Sequence, residues 1–412
     1  MKIVICNTAL SNTGDAAIML GTRAILENAI EAELEFSVRD QQPALVRREY
    51  PEFPVRPLFY ERLSQYFQAR FLKIGIIWLL VTAWLIRTPF RGVVAAMLPD
   101  DIRGDLLDMA GADLVLAAGG TYLVPHYRIR PVLLELMIAR ALGKPYVLFT
   151  QSLGPFDSRD AKWLKPCLRG ATAIFIRDAE SKKHLERIGI VGECVFETAD
   201  AAFALAGSKM HGRRRQSRPA VAMSVRYWPH FSDHAEDGMD RYIDAIITLT
   251  AHLIDNHDAH IEFISTCQGR EGYWTDDSQL AERIAARLPE RYRNNVAVNG
   301  ESHRPEAFLS RLQEFDLIVA TRMHVAILGL AAGVPVLPIA YEFKTRELFR
   351  KINKGRVIAD IETVTGDVLC RETDRMLERY VQYRHEIAGH VSALRQSALG
   401  AGHELRRRLE KI

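Results

Sequence analysis

The residues best equipped for chemistry in this 412-residue chain are cations that directly follow apolar runs. Thr321-Arg322-Met323-His324 comes after Asp316-Leu-Ile-Val-Ala320 and opens a helical pattern. A helix start presents free N–H groups and a partial positive charge, so it favours an anion. Arg322 adds a planar fork suited to phosphate or carboxylate. His324 can act as a general acid if bound anions keep it protonated, or as a general base if the dipole prevails. A capping or structural histidine is the plainer alternative. Lys344, just past the next apolar run, either points into the same space or sits in solvent. The residues after the other apolar runs are Asn12, Gly14 and Asp15; Gly119, Gly120 and Thr121; Gln151; Arg177 and Asp178; Arg226; and Glu342 beside Lys344. Gly119-Gly120 permits close backbone approach to a ligand, and a tight turn explains the pair equally well.

Other chemistries lack their residues. His252, His257 and His260 have no carboxylate at convincing spacing, and no metal site is expected. There is no G-x-x-x-x-G-K-[ST] loop for a nucleotide phosphate and no G-x-S-x-G elbow for a hydrolase. Cysteines 6, 167, 194, 267 and 370 form no C-x-x-C pair, so a reducing compartment fits better than a disulfide framework.

The elements that must position these residues alternate. Lys2–Cys6 reads as a strand, with a helical pattern from about Ala16. Strands follow at 113–118, 144–150 and 173–176, separated by helices at 131–142 and 181–188. After a polar, basic stretch at 207–219, a second series begins. It has strands at 220–225, 259–265, 316–320 and 334–340, and helices at 240–256, 304–314 and 325–332. Apolar strands separated by helices predict parallel sheets covered on both faces. The expected organisation is an N-terminal α/β domain at 1–206, a linker at 207–219, an α/β domain at 220–371 and a charged helical segment at 372–412. In such sheets ligands sit beyond the carboxyl ends of the strands, so the two domains are expected to face a cleft. The basic 207–219 stretch has a second reading, a loop contacting phosphate or lipid.

Composition narrows the partners. Lys and Arg number 54 against 51 Asp and Glu, a formal net charge of +3. That balance excludes a dedicated nucleic-acid binder, so any basic site must be local. One segment is anomalous. Residues 71–86, within an insert at about 55–100, are almost wholly apolar and flanked or interrupted by Arg62, Arg70, Lys73, Arg87 and Arg91. Three readings compete: a buried helix hairpin, an amphipathic contact with a bilayer surface, and a true span. The run is shorter than the roughly 20 residues a span needs.

These blocks, in this order, resemble the polysaccharide pyruvyl transferase family over roughly residues 1–350. Asn12-Thr-Gly14-Asp15 resembles its N-x-G-D loop and Ala118-Gly-Gly-Thr121 its Gly-rich turn, though a third glycine is more usual there. Gln151-Ser-Leu-Gly-Pro155, Arg177-Asp-Ala-Glu-Ser181 and Thr198-Ala-Asp200 resemble further blocks. The most specific stretch is Arg322-x-His324, Gly333-Val-Pro335 and Tyr341-x-x-Lys344. The resemblance implies two Rossmann-like domains, as in GT-B glycosyltransferases. It implies phosphoenolpyruvate as co-substrate, with no cofactor, and a glycan or lipid-linked oligosaccharide acceptor that becomes a pyruvate ketal. It implies donor contacts at Arg322, His324 and Lys344, and at Arg177 of the first domain. On that basis His324 is expected as acid/base, with Asp15 facing the acceptor hydroxyl. Asn12, Gly14, Gly119, Gly120, Gln151, Arg226 and Glu342 are expected around the acceptor or cleft. The expected location is cytoplasmic, peripheral to the inner face of the membrane. Two alternatives are a GT-B glycosyltransferase using a nucleotide-sugar and a non-catalytic membrane-associated component of polysaccharide biosynthesis. Against the first, Glu342 is followed eight residues later by Arg350, not by a second glutamate.

Overall fold

A computed structural model describes residues 1–125, 129–207, 217–232, 235–268, 275–352 and 357–411. The expected linker falls largely on 208–216, outside the described residues. The described strands are β1 (Lys2–Thr8), β2 (Glu35–Asp40), β3 (Val55–Pro57), β4 (Leu114–Ala117), β5 (Gly120–Leu123), β6 (Tyr146–Leu153) and β7 (Ala173–Ile176). They continue with β8 (Val195–Glu197), β9 (Ala220–Ser224), β10 (His260–Phe263), β11 (Val296–Val298), β12 (Leu317–Ala320), β13 (Val336–Ala340) and β14 (Ala359–Asp360). The helices are α1 (Thr13–Ala29), α2 (Pro43–Glu49), α3 (Phe59–Tyr66), α4 (Leu72–Leu85), α5 (Arg91–Ala96), α6 (Asp100–Ala110), α7 (Ile129–Ala141) and α8 (Ser158–Arg169). They continue with α9 (Ala179–Arg187), α10 (Ala235–His257), α11 (Asp277–Arg287), α12 (Pro305–Leu312), α13 (Met323–Ala331), α14 (Phe343–Ile352), α15 (Gly366–Glu378) and α16 (Tyr380–Leu409).

The chain divides into two compact units. Unit 1 is Met1–Ser11, Ile18–Ala204 and Ser397–Ile412; unit 2 is Asn12–Ala17 and Leu205–Gln396. Each holds one sheet whose pairings are parallel, as expected for a chain of apolar strands and covering helices. The strand order is β3-β2-β1-β4-β6-β7-β8 in unit 1, with β5 beside β6, and β11-β10-β9-β12-β13-β14 in unit 2. Both orders step outward from the first strand and then reverse, the Rossmann-like pattern. The reversal points, β1/β4 and β9/β12, are where ligands enter such sheets. Val4, Val115, Leu148 and Ile174 anchor one core; Val221, Ile261, Leu317 and Ile339 anchor the other.

β3, at 55–57, pairs with β2 and is part of the sheet, so the insert outside the sheet begins only with α3. The C-terminal segment expected at 372–412 takes in the end of α15 and then one long helix, α16, whose far end packs in unit 1: Ser397 accepts from Thr198 and from the Ala199 N–H.

Unit 1 also buries charge. Arg39 and Glu135 are fully enclosed, with Nε to Oε2 at 3.9 Å, and Glu135 accepts from the Phe59 N–H at 2.6 Å. Burial, only partly offset by Arg39, pushes the Glu135 carboxyl from 4.5 to about 7. A raised acid pKa favours the protonated form in the folded state, so this contribution is present at low pH and is lost as pH rises from about 4.5 to about 7. Glu135→Gln stays neutral throughout. Its stability relative to wild type is therefore expected to rise over that window, by up to about 3 kcal/mol. Urea melts at several pH values would check this; a pH-independent difference would contradict it.

Candidate functional site

In unit 2 the site grows from the β9/β12 reversal. Ser224, the last residue of β9, accepts the Thr321 and Arg322 N–H groups on its Oγ, both at 3.1 Å. This clamps the end of β12 and sets the start of α13. Arg322 is the residue before α13, and His324 lies in its first turn. The helix begins two residues earlier than its apolar periodicity predicts, which is what carries His324 into the turn with free N–H groups.

Arg322 is buried and its fork is engaged. Nε and Nη2 donate to the two oxygens of Asp277 at 2.7 and 2.5 Å. Asp277, the first residue of α11, also accepts from Ser265. Burial opposes the Arg322 charge; Cys267 and Asp277 more than offset it and hold the guanidinium above the ordinary arginine range. Among the described residues Nη1 has no hydrogen-bond partner.

Arg226, two residues past β9, stands differently. It donates to the Tyr341 hydroxyl and lies over two rings, 4.2 Å from Tyr341 and 5.3 Å from Trp228. Its buried Nε has no hydrogen-bond partner, and among the described residues it meets no carboxylate. The aromatic pair presents this cation without neutralising it. Lys344 also lies over the Tyr341 ring, Nζ 6.0 Å from its centroid, and pairs with Glu342 Oε2 at 2.6 Å.

The Asn12–Ala17 segment completes the group. α1 starts at Thr13, earlier than the predicted Ala16, because Asn12 caps it: Oδ1 accepts from the Gly14 N–H at 2.7 Å and the Asp15 N–H at 3.3 Å. The Asn12 amide donates to the buried Cys267 sulfur at 3.0 Å. The Thr13 N–H donates to the Thr266 carbonyl. Burial pushes the Cys267 thiol up, and Arg322, Asp277, Asp15 and Arg226 all act on it. Gly14 lies flat against His324. A Cβ there would stand 2.5 Å from Nδ1 and 2.6 Å from the histidine's own Cβ. Gly14→Ala must therefore shift the ring or α1, at a cost of about 1–3 kcal/mol. A thermal melt and the His324 ring resonances would check this; an unmoved resonance with native stability would contradict it.

In unit 1 the expected residues form a different construction. Arg177 donates Nε to Ser152 Oγ at 2.8 Å and Nη2 to Thr121 Oγ1 at 2.7 Å, and pairs with buried Asp200. Ser152 in turn donates to Asp178 at 2.6 Å, and Asp178 caps α9 through the Ser181 N–H at 2.7 Å. Gln151 donates to the Ala118 carbonyl and to the Tyr122 hydroxyl. Gly120, at φ +144°, takes a backbone conformation closed to most side chains, and Gly119 sits against Thr150. The blocks at 118–121, 151–155, 177–181 and 198–200 are thus one buried polar network across the strand ends. Arg177 is committed within it, in unit 1, while Arg226, Arg322, His324, Lys344 and Glu342 gather in unit 2.

His252 and His257 do have a carboxylate partner, contrary to expectation from spacing. Asp374 on α15 accepts from both Nε2 atoms, at 2.8 and 2.7 Å. Burial acts to raise Asp374, and the two imidazoles outweigh it and hold the carboxyl below its ordinary range. The trio ties α10 to α15 and is the one cluster of three potential metal ligands among the described residues. His260 stands apart, at the start of β10.

Sequence reasoning passes over Asp277, Cys267, Ser224 and Trp228. The residues after β10 are Ile264, Ser265, Thr266 and Cys267, which carry no cation to attract notice. Asp277 reads only as part of an Asp-Asp-Ser helix start.

Residues 12–342 match the polysaccharide pyruvyl transferase family. The amylovoran biosynthesis protein AmsJ of Erwinia amylovora is 21% identical over 287 residues, 67% of this chain and 68% of its own length. Among solved structures, Anabaena HepE in complex with UDP and glucose has a TM-score of 0.59 at 12% identity, over 100% of both chains. The UDP-GlcNAc 2-epimerase of Methanocaldococcus jannaschii has a TM-score of 0.56 at 12% identity, again over 100% of both chains.

Proposed function

Since the chain belongs to the polysaccharide pyruvyl transferase family, we propose that it transfers pyruvate from phosphoenolpyruvate to a sugar of a surface polysaccharide or its lipid-linked precursor. AmsJ, a biosynthesis protein for one such polymer, supports that acceptor class. The observation that carries the reading is the gathering of Arg226, Arg322, His324 and Lys344 around Tyr341 and the start of α13. Phosphoenolpyruvate concentrates a phosphate and a carboxylate on three carbons, and several converging cations suit it.

Ketal formation adds a proton to C3 of the donor and two sugar oxygens to C2, while phosphate leaves and the two hydroxyls give up their protons. In this account His324 supplies the C3 proton and regains one from the second hydroxyl, while Asp15, in the first turn of α1, receives the first hydroxyl's proton, which leaves with the phosphate. Arg226 holds donor charge, since among the described residues it alone of the three nearby cations has no carboxylate partner. Lys344 joins it once Glu342 is displaced, and Arg322 positions the α13 turn from its bond to Asp277. Arg177 acts through its unit 1 network, which holds Thr121 and Ser152 at the strand ends. The five cysteines are all free, in keeping with a cytoplasmic enzyme, and phosphoenolpyruvate is a cytoplasmic metabolite.

Arg226→Met is expected to raise the KM for phosphoenolpyruvate about tenfold or more, with a smaller change in kcat. An unchanged KM would remove Arg226 from the donor site. A second reading, a nucleotide-sugar donor, is favoured by HepE, whose structure holds UDP and glucose. Calorimetric titration with phosphoenolpyruvate against UDP-glucose separates the two. Saturable binding of the first supports the proposal; binding of the second alone would replace it.

A further inference from the structure

The α4–α5 segment carries two faces with opposite fates. Leu72, Gly75, Leu79, Thr82 and Ala83 of α4 are buried, and the leucines and Ala83 join the unit 1 core. On its other face Ile74, Ile77, Val81 and Trp84 are 50–62% exposed, at intervals of three and four that make one stripe. Phe90, Val93 and Met97 add side chains that are 66–79% exposed. Single exposed apolar residues are ordinary; seven on one short segment are not. Among the described residues α4 itself, at 14 residues, cannot span, and no helix is long and apolar enough to do so.

Charge identifies the occupant. From Arg62 to Pro99 the chain has no Asp or Glu, although the whole sequence carries 51 in 412 residues. The same stretch holds Arg70, Lys73, Arg87 and Arg91, all exposed, and among the described residues none of the four pairs with a carboxylate. A second copy docking on this face through a two-fold contact would bring these cations against their own counterparts. A surface that is apolar inside and anionic at its rim is complementary. We propose that α4 and α5 lie on an anionic lipid bilayer, with the stripe among the acyl-chain boundary, Trp84 and Phe90 at headgroup level and the four cations on lipid phosphates. The docking is independent of the donor chemistry and is read without activity.

The test is co-sedimentation of the full chain with phosphatidylcholine vesicles, with and without phosphatidylglycerol, at increasing salt. Binding to the anionic vesicles that weakens as salt rises is expected, with little binding to neutral ones. Ile77→Glu with Trp84→Glu, both on the exposed face, should weaken it about tenfold or more with an unchanged melting temperature. Arg87→Gln with Arg91→Gln should weaken binding to anionic vesicles only. No binding at physiological salt, or equal binding to both vesicle types, would overturn the proposal. So would a stable dimer in sedimentation analysis that Ile77→Glu dissociates. The wild-type salt series decides even where a variant fails to fold.

Discussion

His324→Gln is expected to lower the rate of ketal formation by about two to four orders of magnitude while the protein stays folded. The expectation rests on position. His324 is in the first turn of α13, directly after the β9/β12 reversal, and its ring lies against Gly14. The proposed reaction needs a proton delivered to carbon, and glutamine can fill the ring's space and hydrogen-bond without delivering one. Single-turnover phosphate release would measure the effect. The KM for phosphoenolpyruvate should change less than kcat, because the proposal assigns the phosphate and carboxylate mainly to Arg226 and Lys344. A variant with near-normal kcat would remove His324 from the chemistry and leave it as packing for α1.

Asp277→Ala is expected to cost unit 2 about 3–5 kcal/mol, the effect of stranding a buried cation. Arg322 and Asp277 are both buried and share two hydrogen bonds, so removing the carboxylate leaves a charge with neither water nor partner. The sharper form of the prediction is a cycle. Asp277→Ala combined with Arg322→Met should be less destabilised than Asp277→Ala alone, because the double variant strands nothing. Thermal denaturation of the four proteins gives the coupling. Additive losses would mean the pair is not what holds the start of α13. Activity should fall in every variant, since Arg322 sets the turn that presents His324.

The fold was legible where strands are wholly apolar. Leu114–Ala117, Ala173–Ile176, Leu317–Ala320 and Val336–Ala340 announce themselves, and their alternation with helices fixes parallel pairing. β2 escaped because it reads Glu-Phe-Ser-Val-Arg-Asp: Arg39 and Asp40 look like a solvated turn but are fully buried, bonded to backbone and side-chain groups nearby. α8 escaped because Pro166 interrupts it and its overall character is polar. The cations of the site were legible because they follow strands. Their partners were not. Asp277 lies 45 residues from Arg322, Asp200 lies 23 from Arg177, and Asp374 lies 122 from His252. No local pattern connects such pairs; only the sheet order does. The consequence for function is a redistribution. Arg322, the most conspicuous residue in the sequence, is tied to Asp277, and the proposed donor contact passes to Arg226, which Tyr341 and Trp228 present.

The most direct test of the proposed transfer is mass spectrometry of the glycan from cells that have the protein, lack it, or carry His324→Gln. A pyruvate ketal present only with the wild-type protein is the predicted result. A glycan whose pyruvate content is the same in all three, or one that loses a whole sugar instead, would contradict pyruvyl transfer.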